Sequence, residues 1–306
     1  MKIVVLGAGA MGQLFGAHLV ANGHNVIMID VSAETCGFIN QHGIQINMGT
    51  HEVYGAPRAA LAHQVDHEPD LIMVMTKGPH THEALASIPH LISEHTVGLS
   101  LQNGLGNETV LAEFFGQDNV VVGMTDFPSD RQENGEILSE PTGQVVVGEI
   151  SPGGQRTARN VARVLDSAGL NSSYSDEIQV PIWEKVIFNA VYNTVSGATG
   201  LTVGGVFDEP EASLLAYAVL EESLDVARCE EVAIDESRLR ANIMNAHANH
   251  ADHKTSMLVD LEAGRETEIE SIGGAIEKVG QQNDIATPYL SVLCDIIRLR
   301  ERSTSL

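Results

Sequence analysis

Short apolar runs alternate with amphipathic stretches through the first half of the chain. The apolar runs predict strands at residues 3–6, 25–29, 71–75, 97–101, 120–122, 145–150 and 172–174. The stretches 11–21 and 155–168 predict helices, the second ending at Gly169. Strands that alternate with helices are typical of right-handed βαβ units and a parallel sheet. Turn residues at Asn134-Gly135 and Pro141-Thr142-Gly143 predict antiparallel hairpins among the last strands.

The pattern changes after Pro181. Strand-like runs give way to long helical patterns that continue to the C-terminus, and proline is well tolerated in the first turn of a helix. The chain therefore predicts an α/β protein with a parallel-sheet domain over residues 1–177. An all-helical domain over residues 178–306 is expected to follow it.

A glycine-rich loop joins the first predicted strand to the first predicted helix. Gly7-Ala8-Gly9-Ala10-Met11-Gly12 reads GxGxxG in this strand-to-helix context. The first glycine permits a tight turn, the second lets the backbone approach a pyrophosphate, and the third lets helix and strand pack closely. Phosphates then lie at the positive end of the helix. This loop predicts a Rossmann-type, dinucleotide-binding first domain.

Polar residues follow three more of the predicted strands. Asp30 ends the second strand, where a carboxylate binds the ribose hydroxyls of NAD and repels the 2′-phosphate of NADP. The alternative for Asp30 is a helix cap ahead of Ser32. Lys77 and Gln102-Asn103-Gly104 follow later strands, at the edge where open α/β sheets bind ligands. For each of these, a turn or surface role is the alternative.

The net charge and the cysteine content argue against nucleic-acid binding, membrane binding and a zinc site. The 306 residues carry 41 Asp and Glu against 17 Lys and Arg, a formal net charge of −24. Such a surface repels nucleic acids and anionic membranes, and an anionic substrate would need local cations. The three cysteines have no CxxC spacing, which indicates a reducing compartment and no zinc site. With no signal peptide or membrane span predicted, the cytoplasm is the default location.

Histidines at every third position provide the one candidate metal site. His247, His250 and His253 could share a helix face, but steps of three drift by about 60° around an α-helix. No cysteine lies nearby, and the sequence gives no clear set of partners that would orient the three imidazoles around a metal. We expect a polar segment ahead of Ser256 rather than a metal centre.

The most informative stretch of the second half runs from Trp183 to Asn193. Lys185, Asn189 and Asn193 recur every four residues, so on a helix they form one polar stripe among apolar neighbours. Buried amides that lack partners are costly, so such a stripe faces a ligand or other protein groups. A structural stripe that bonds neighbouring helices, or one that faces solvent, is the alternative.

These motifs together resemble the ketopantoate reductase (2-dehydropantoate 2-reductase) family, including its NAD-dependent D-2-hydroxyacid dehydrogenase relatives. The resemblance rests on the Gly7–Gly12 loop, Asn103-Gly104, the Trp183–Asn193 helix and the run from Ser256 to Glu270. It covers nearly the whole chain, with the motifs in the right order. It implies a Rossmann domain joined to a helical domain, an active site in the cleft, and reduction of a 2-keto acid to the D-2-hydroxy acid.

The resemblance also implies roles for individual residues. Lys185 would be the general acid that protonates the keto oxygen, and lysine is an adequate acid where burial lowers its pKa. Glu268 would lie near Lys185 and the nicotinamide ribose, with a part in both catalysis and cofactor binding. The remaining contacts would come from Asn189, Asn193 and Ser256 to the substrate, Asn103 to substrate and cofactor, and Lys77 to the cofactor.

Some positions depart from the pattern of the ketopantoate-reducing members. Asp30 stands where NADPH-using members commonly carry a basic residue, so NAD is expected and NADP is the alternative. Val203 replaces another asparagine, and Thr194 replaces a proline. The main hypothesis is reduction of 2-dehydropantoate to D-pantoate by a homodimer. The alternatives are a D-2-hydroxyacid dehydrogenase for bulky branched or aromatic 2-keto acids, a non-catalytic dinucleotide sensor, and an oligomeric scaffold.

Overall fold

The computed structural model describes residues 1–304 and divides into two compact units. The first unit comprises residues 1–102 and 107–178, and the second comprises residues 103–106 and the chain from residue 179 onward. Ser305 and Leu306, which end the predicted helical domain, lie outside the described residues. The short segment 103–106 thus belongs with the helical unit, although the sheet unit flanks it on both sides in sequence.

All strands found within residues 1–304 belong to the first unit. They are β1 (Lys2–Leu6), β2 (Asn25–Ile29), β3 (Ile44–Asn47), β4 (Glu52–Gly55), β5 (Arg58–Ala60), β6 (Leu71–Val74), β7 (Val97–Ser100), β8 (Val120–Thr125), β9 (Asp130–Arg131), β10 (Ile137–Leu138), β11 (Val145–Glu149) and β12 (Ser172–Tyr174). Its helices are α1 (Ala10–Ala21), α2 (Ala33–His42), α3 (Thr81–Ala86), α4 (Asn107–Phe115) and α5 (Gln155–Ser167). Short 3-10 turns join several of them.

The main sheet has eight strands in the order β12-β11-β8-β7-β6-β1-β2-β5. Every neighbouring pair is parallel except β8 and β11. Its central strands are continuous apolar runs that are buried on both faces, as parallel sheets require. The predicted α/β class, with its parallel-sheet domain ahead of a helical one, is confirmed.

The hairpin prediction is right in one place and wrong in the other. Asn134-Gly135 lies in the turn of the β9–β10 hairpin, which is antiparallel. Pro141-Thr142-Gly143 joins no hairpin, because β10 pairs with β3 in a second, four-stranded sheet of order β4-β3-β10-β9. β11 instead returns to the main sheet beside β8. The prediction failed because the partner of β10 lies far away in sequence.

The second unit is helical between residues 179 and 304. Its helices are α6 (Gln179–Asn189), α7 (Val195–Thr199), α8 (Val203–Asp208), α9 (Pro210–Cys229), α10 (Glu236–Asn249), α11 (Ser256–Glu262), α12 (Gly273–Gln282) and α13 (Pro288–Thr304). Side chains of Thr202, Asp235 and Thr255 cap the starts of α8, α10 and α11. A π turn over Ala190–Thr194 joins α6 to α7. Gly200, in the left-handed conformation with φ 81°, ends α7.

Candidate active site

The Gly7–Gly12 segment, called the glycine loop from here on, lies where the strand order of the main sheet reverses. The chain runs from β1 outward to β2 and β5, then returns to place β6 on the other side of β1. Such a reversal leaves a crevice beyond the carboxyl ends of the strands, where open α/β sheets bind ligands. The glycine loop follows β1 at this point and leads directly into α1.

Each glycine of the loop meets a different steric condition. Gly7 has φ +104°, and a Cβ there would lie 2.9 Å from the Met75 carbonyl. A Cβ on Gly12 would lie 2.0 Å from the Gly7 oxygen, which explains why α1 can start so close to β1. A Cβ on Gly9 would meet nothing within 4 Å. Gly9 therefore borders open space at the N-terminus of α1, and this arrangement fits a bound pyrophosphate.

Asp30 is attached to the glycine loop. Its Oδ2 accepts the Ala8 N–H at 2.8 Å and its Oδ1 accepts the Ser32 N–H at 2.9 Å. The cap of α2 is Ser32, whose hydroxyl accepts the Thr35 N–H, so the alternative of Asp30 as the helix cap is wrong. A carboxylate offers about four acceptor sites, so two backbone bonds leave room for ribose hydroxyls.

Lys77 follows β6 at the same edge of the sheet. It is half-buried and starts the 3-10 turn that leads to α3. Gln102, to which the sequence assigned no role of its own, shapes this turn: its amide donates to the Thr76 carbonyl and to the Thr81 hydroxyl, each at 2.7 Å. Ser100 donates to the Gln102 carbonyl oxygen at 2.9 Å. The only sequence signal for these hydrogen bonds was a glutamine directly after a predicted strand.

In the helical unit, Asn103 and Glu268 lie in contact although 165 positions separate them. The Asn103 amide donates to Glu268 Oε2 at 2.9 Å. The next residues tie the same two segments together, since Leu105 N–H donates to the Ser271 carbonyl at 2.9 Å. Gly104 has φ +100°, and a Cβ there would lie 2.1 Å from that carbonyl oxygen. Glycine at position 104 is thus required for Asn103 to reach Glu268.

Lys185, Asn189 and Asn193 lie on α6 and the π turn that follows it. Lys185 and Asn189 are half-buried, whereas Asn193 is buried within the π turn. Residues four apart on an α-helix drift by about 40°, because each residue turns about 100°. A π turn rotates less per residue, so it offsets this drift between Asn189 and Asn193. The polar stripe is consequently straighter than a continuous α-helix would make it.

Two hydroxyl groups hold the π turn in place. The Thr194 hydroxyl donates to the Ala190 carbonyl at 2.7 Å, and the Tyr192 hydroxyl donates to the Ile243 carbonyl of α10 at 2.6 Å. Burial raises the pKa of Tyr192, so it remains a neutral donor. π turns recur at functional sites, and the sequence carried no local signal for this one.

Ser256 is the first residue of α11 and is exposed. The preceding Thr255 is buried, and its hydroxyl lies 3.1 Å from that of Ser196 in α7. Ser196 in turn donates to the Leu201 carbonyl at 2.6 Å. The start of α11 is therefore fastened to the helix that continues the π turn, which fixes the position of Ser256 along the unit.

The three histidines ahead of Ser256 have other roles. His247 Nε2 lies 2.9 Å from Asp208 Oδ1, and the rings of His250 and His253 stack at 5.6 Å. Among residues 1–304, no group of three or more His, Cys, Asp or Glu side chains could hold a metal ion. Nor does any described helix combine the length and the apolar character that a membrane span needs.

Comparison with protein families assigns the chain. The description "Ketopantoate reductase PanE/ApbA" matches residues 3–152, and "Ketopantoate reductase PanE/ApbA C terminal" matches residues 177–301. Together these matches cover most of both structural units. The chain belongs to the ketopantoate reductase family.

Full-length relatives and solved structures agree with this assignment. The chain is 29% identical to a 2-dehydropantoate 2-reductase of Lactococcus lactis, over 98% of each chain. It is also 29% identical to one of Halobacterium salinarum, over 99% of each. A ternary structure of D-mandelate dehydrogenase with NADH and anilino(oxo)acetate superposes with a TM-score of 0.93, at 29% identity and 100% coverage of both chains.

The protein is therefore an oxidoreductase of the 2-dehydropantoate 2-reductase type that uses a nicotinamide cofactor. The expectation of an enzyme in this family is confirmed. The glycine loop, with open space at Gly9 and a carboxylate fastened to Ala8, offers the groups that such a cofactor needs.

Proposed function

We propose that this enzyme reduces 2-dehydropantoate to D-pantoate with NADH. The contact between Asn103 and Glu268 carries the proposal, because it joins two motifs that lie 165 positions apart in the chain within one unit. The names of the relatives support the substrate. Asp30 supports NADH, since a carboxylate fastened to the glycine loop accepts ribose hydroxyls and repels a 2′-phosphate.

Lys185 is the general acid in this proposal. A nicotinamide cofactor held by the glycine loop and Asp30 would supply hydride to the keto carbon, and the keto oxygen would then carry negative charge. Lys185 Nζ donates its proton to that oxygen, so the product is a neutral hydroxyl group. A cation at this position also attracts the substrate carboxylate against the −24 net charge of the chain.

The amides and the hydroxyl of the helical unit hold the substrate. Asn189 and Asn193 follow Lys185 along one side of α6 and the π turn, where amide N–H groups can donate to a carboxylate. Ser256 starts α11, with an exposed hydroxyl. In this proposal Asn103 binds both substrate and cofactor, Glu268 acts in catalysis and in cofactor binding, and Lys77 binds the cofactor.

A second candidate substrate is a bulky aromatic or branched 2-keto acid. The superposition on D-mandelate dehydrogenase favours it, because that enzyme was solved with an aromatic oxoacetate compound. Val203, buried at the start of α8, supplies an apolar side chain at the position where the family resemblance leads one to expect an asparagine.

Rates of NADH oxidation across four keto acids distinguish these substrates. The panel contains ketopantoate, 2-ketoisovalerate, 2-ketoisocaproate and phenylglyoxylate, with the product configuration read by chiral chromatography. The proposal expects the highest kcat/KM with ketopantoate and D-products throughout. A highest kcat/KM with phenylglyoxylate would favour the second candidate, and an L-product would contradict the stereochemical assignment.

We also propose that the enzyme is a homodimer and that α13 contributes to its interface. Tyr289, Val292, Ile296 and Leu299 are exposed at alternating steps of three and four, so they form an apolar stripe along one side of this helix. Exposed apolar stripes of this kind mark association surfaces. Light scattering of wild type and of Val292→Glu tests this, with a dimer expected only for the wild type.

A further inference from the structure

Glu268 lies on an irregular segment between α11 and α12, and α13 holds that segment on both sides of it. On one side, the Thr267 N–H donates to Glu301 Oε1 at 2.7 Å. On the other side, the Glu270 carboxylate accepts Arg298 Nε at 2.7 Å and Arg298 Nη2 at 3.0 Å. Both anchors belong to α13, three residues apart, so they lie on neighbouring positions of one helix face.

The Arg298 anchor is the stronger of the two. Its guanidinium bonds Glu270 through two parallel N–H groups, contacts Glu277 at 3.3 Å and bonds Asp295 at 3.0 Å. Its side chain is 22% exposed, whereas that of Glu270 is 60% exposed, so water screens this pair mainly on the carboxylate side. The bond to Arg298 lowers the pKa of Glu270, because the guanidinium stabilises the charged carboxylate. Bidentate charged pairs are among the strongest and most directional polar contacts in proteins.

We infer that Arg298 and Glu301 are positioning residues that hold Glu268 in place for its contact with Asn103. The inference rests on the proposed roles of Glu268 and Asn103. An irregular segment loses conformational entropy when it is ordered, so contacts that restrict it beforehand favour its bound conformation. Anchors at Thr267 and Glu270 restrict the segment before any ligand binds. Glu268 Oε2 then stays within hydrogen-bond distance of the Asn103 amide.

The helical unit offers a matched control. Arg228 of α9 bonds Glu236 through Nε at 3.0 Å and Nη2 at 2.5 Å, and it bonds Asp225, three residues earlier, at 2.6 Å. Arg298 makes a similar cluster with Glu270 and, three residues earlier, Asp295, except that its two N–H groups donate to both Glu270 oxygens, whereas those of Arg228 share Glu236 Oε1. Arg228 and its two partners join α9 to the start of α10. Substitution of Arg228 therefore removes a comparable guanidinium–carboxylate pair away from the Glu268 segment.

The experiment compares Arg298→Lys with Arg228→Lys in the full-length enzyme. Lysine keeps the charge but loses the two parallel bonds. We expect Arg298→Lys to lower kcat/KM by roughly tenfold, since displacement of a reacting group by about 1 Å costs up to a hundredfold. Arg228→Lys should retain kcat and KM within about twofold. Thermal unfolding of both variants establishes that rates are measured on folded protein.

A double-mutant cycle with Glu268→Ala separates positioning from a general structural role. If Arg298 acts through Glu268, Arg298→Lys should cost little or nothing in the Glu268→Ala background. An undiminished loss in that background would overturn the inference, as would an Arg298→Lys enzyme as active as Arg228→Lys. If Arg298→Lys does not fold, Glu301→Ala replaces it in the cycle with Glu268→Ala. We expect Glu301→Ala to lower kcat/KM a few-fold, and this loss should also be small or absent in the Glu268→Ala background.

The cycle also distinguishes failure of this inference from failure of the proposed function. A fully active Glu268→Ala enzyme would contradict the role of Glu268 itself. A strongly impaired Glu268→Ala enzyme with an unaffected Arg298→Lys enzyme would leave that role intact and refute only the positioning by α13.

Discussion

The glycine loop of the sheet unit and the polar residues of the helical unit are built in different ways. The loop is one continuous stretch of six residues, and its shape follows from missing side chains at Gly7 and Gly12. The polar residues come from four separate segments: Asn103, the Lys185–Asn193 stretch, Ser256 and Glu268. Backbone geometry therefore makes the first region, whereas long-range contacts make the second. A single substitution should affect each region in a different way.

The largest effect is expected at Lys185, in the helical unit. Lys185→Ala should lower kcat by about 100- to 10,000-fold, the usual contribution of a positioned acid. Affinity for NADH should change little, because the glycine loop and Asp30 belong to the other unit. Steady-state kinetics and fluorescence titration with NADH measure the two effects separately.

The control for this prediction is Lys278→Ala, which removes an exposed lysine of α12 in the same unit. It should leave kcat unchanged. Lys185→Arg should fail nearly as badly as Lys185→Ala, since a guanidinium does not release a proton near neutral pH. Near wild-type kcat in either Lys185 variant would remove this residue from the mechanism.

The next effect is expected at Gly9, in the glycine loop. Gly9 has φ −66°, which alanine adopts freely, and a Cβ there meets no protein atom within 4 Å. Gly9→Ala should therefore fold normally. Its methyl group should nevertheless occupy space that we assign to the pyrophosphate, and raise the Kd for NADH by about tenfold or more.

Gly37 provides the matched control for Gly9. It also borders open space, but lies in the interior of α2, away from the glycine loop. Gly37→Ala should leave NADH binding unchanged and stabilise the protein by roughly 0.5–1 kcal/mol, as alanine favours helix. Equal NADH affinity in Gly9→Ala and Gly37→Ala would contradict the assigned cofactor position.

A smaller effect is expected from Asp30→Ala. The variant loses the bonds to Ala8 and Ser32 and should weaken use of both cofactors. The ratio of kcat/KM for NADH to that for NADPH cancels this shared loss. We expect that ratio to fall by about tenfold, because only the 2′-phosphate gains when the carboxylate is removed. Preference of the wild-type enzyme for NADPH would refute the assignment.

The smallest effect concerns pH and is confined to the sheet unit. His18 of α1 is buried, its Nδ1 lies 3.1 Å from the Ala168 carbonyl, and burial lowers its pKa. The unfolded chain then binds this proton at a higher pH than the folded protein. Stability should accordingly decrease as the pH falls from about 6.5 toward the lowered folded pKa, by up to about 1.4 kcal/mol per pH unit.

Chemical denaturation at a series of pH values measures this slope. His18→Gln should show a shallower decrease than the wild type, while the Asn22 amide still donates to the Ala168 carbonyl at 3.1 Å. His95→Gln, which removes a histidine with an 86% exposed side chain, should keep the wild-type slope. Identical slopes for the wild type and His18→Gln would exclude His18 as the source.

Several features followed from the sequence alone because their causes are local. Continuous apolar runs predicted the buried strands β1, β2, β6 and β7, since strands covered on both faces need no polar side. The GxGxxG spacing predicted the glycine loop, because the motif lies within six consecutive residues, and Gly12 leaves room for the Gly7 carbonyl of the same loop. The loss of strand-like runs after Pro181 predicted the helical unit. Motif resemblance then indicated the family, which the comparisons show.

Other features were decided by contacts between residues far apart in the chain. β3 pairs with both β4 and β10, and only two buried isoleucines marked it as a strand. Asn103–Gly106 joins the helical unit through bonds to Ser271 and Glu268. The π turn depends on a hydroxyl contact with α10. Two residues of α13 anchor the segment that carries Glu268. Periodicity reports which face of an element is apolar, but the choice among distant partners depends on the packing of the whole unit.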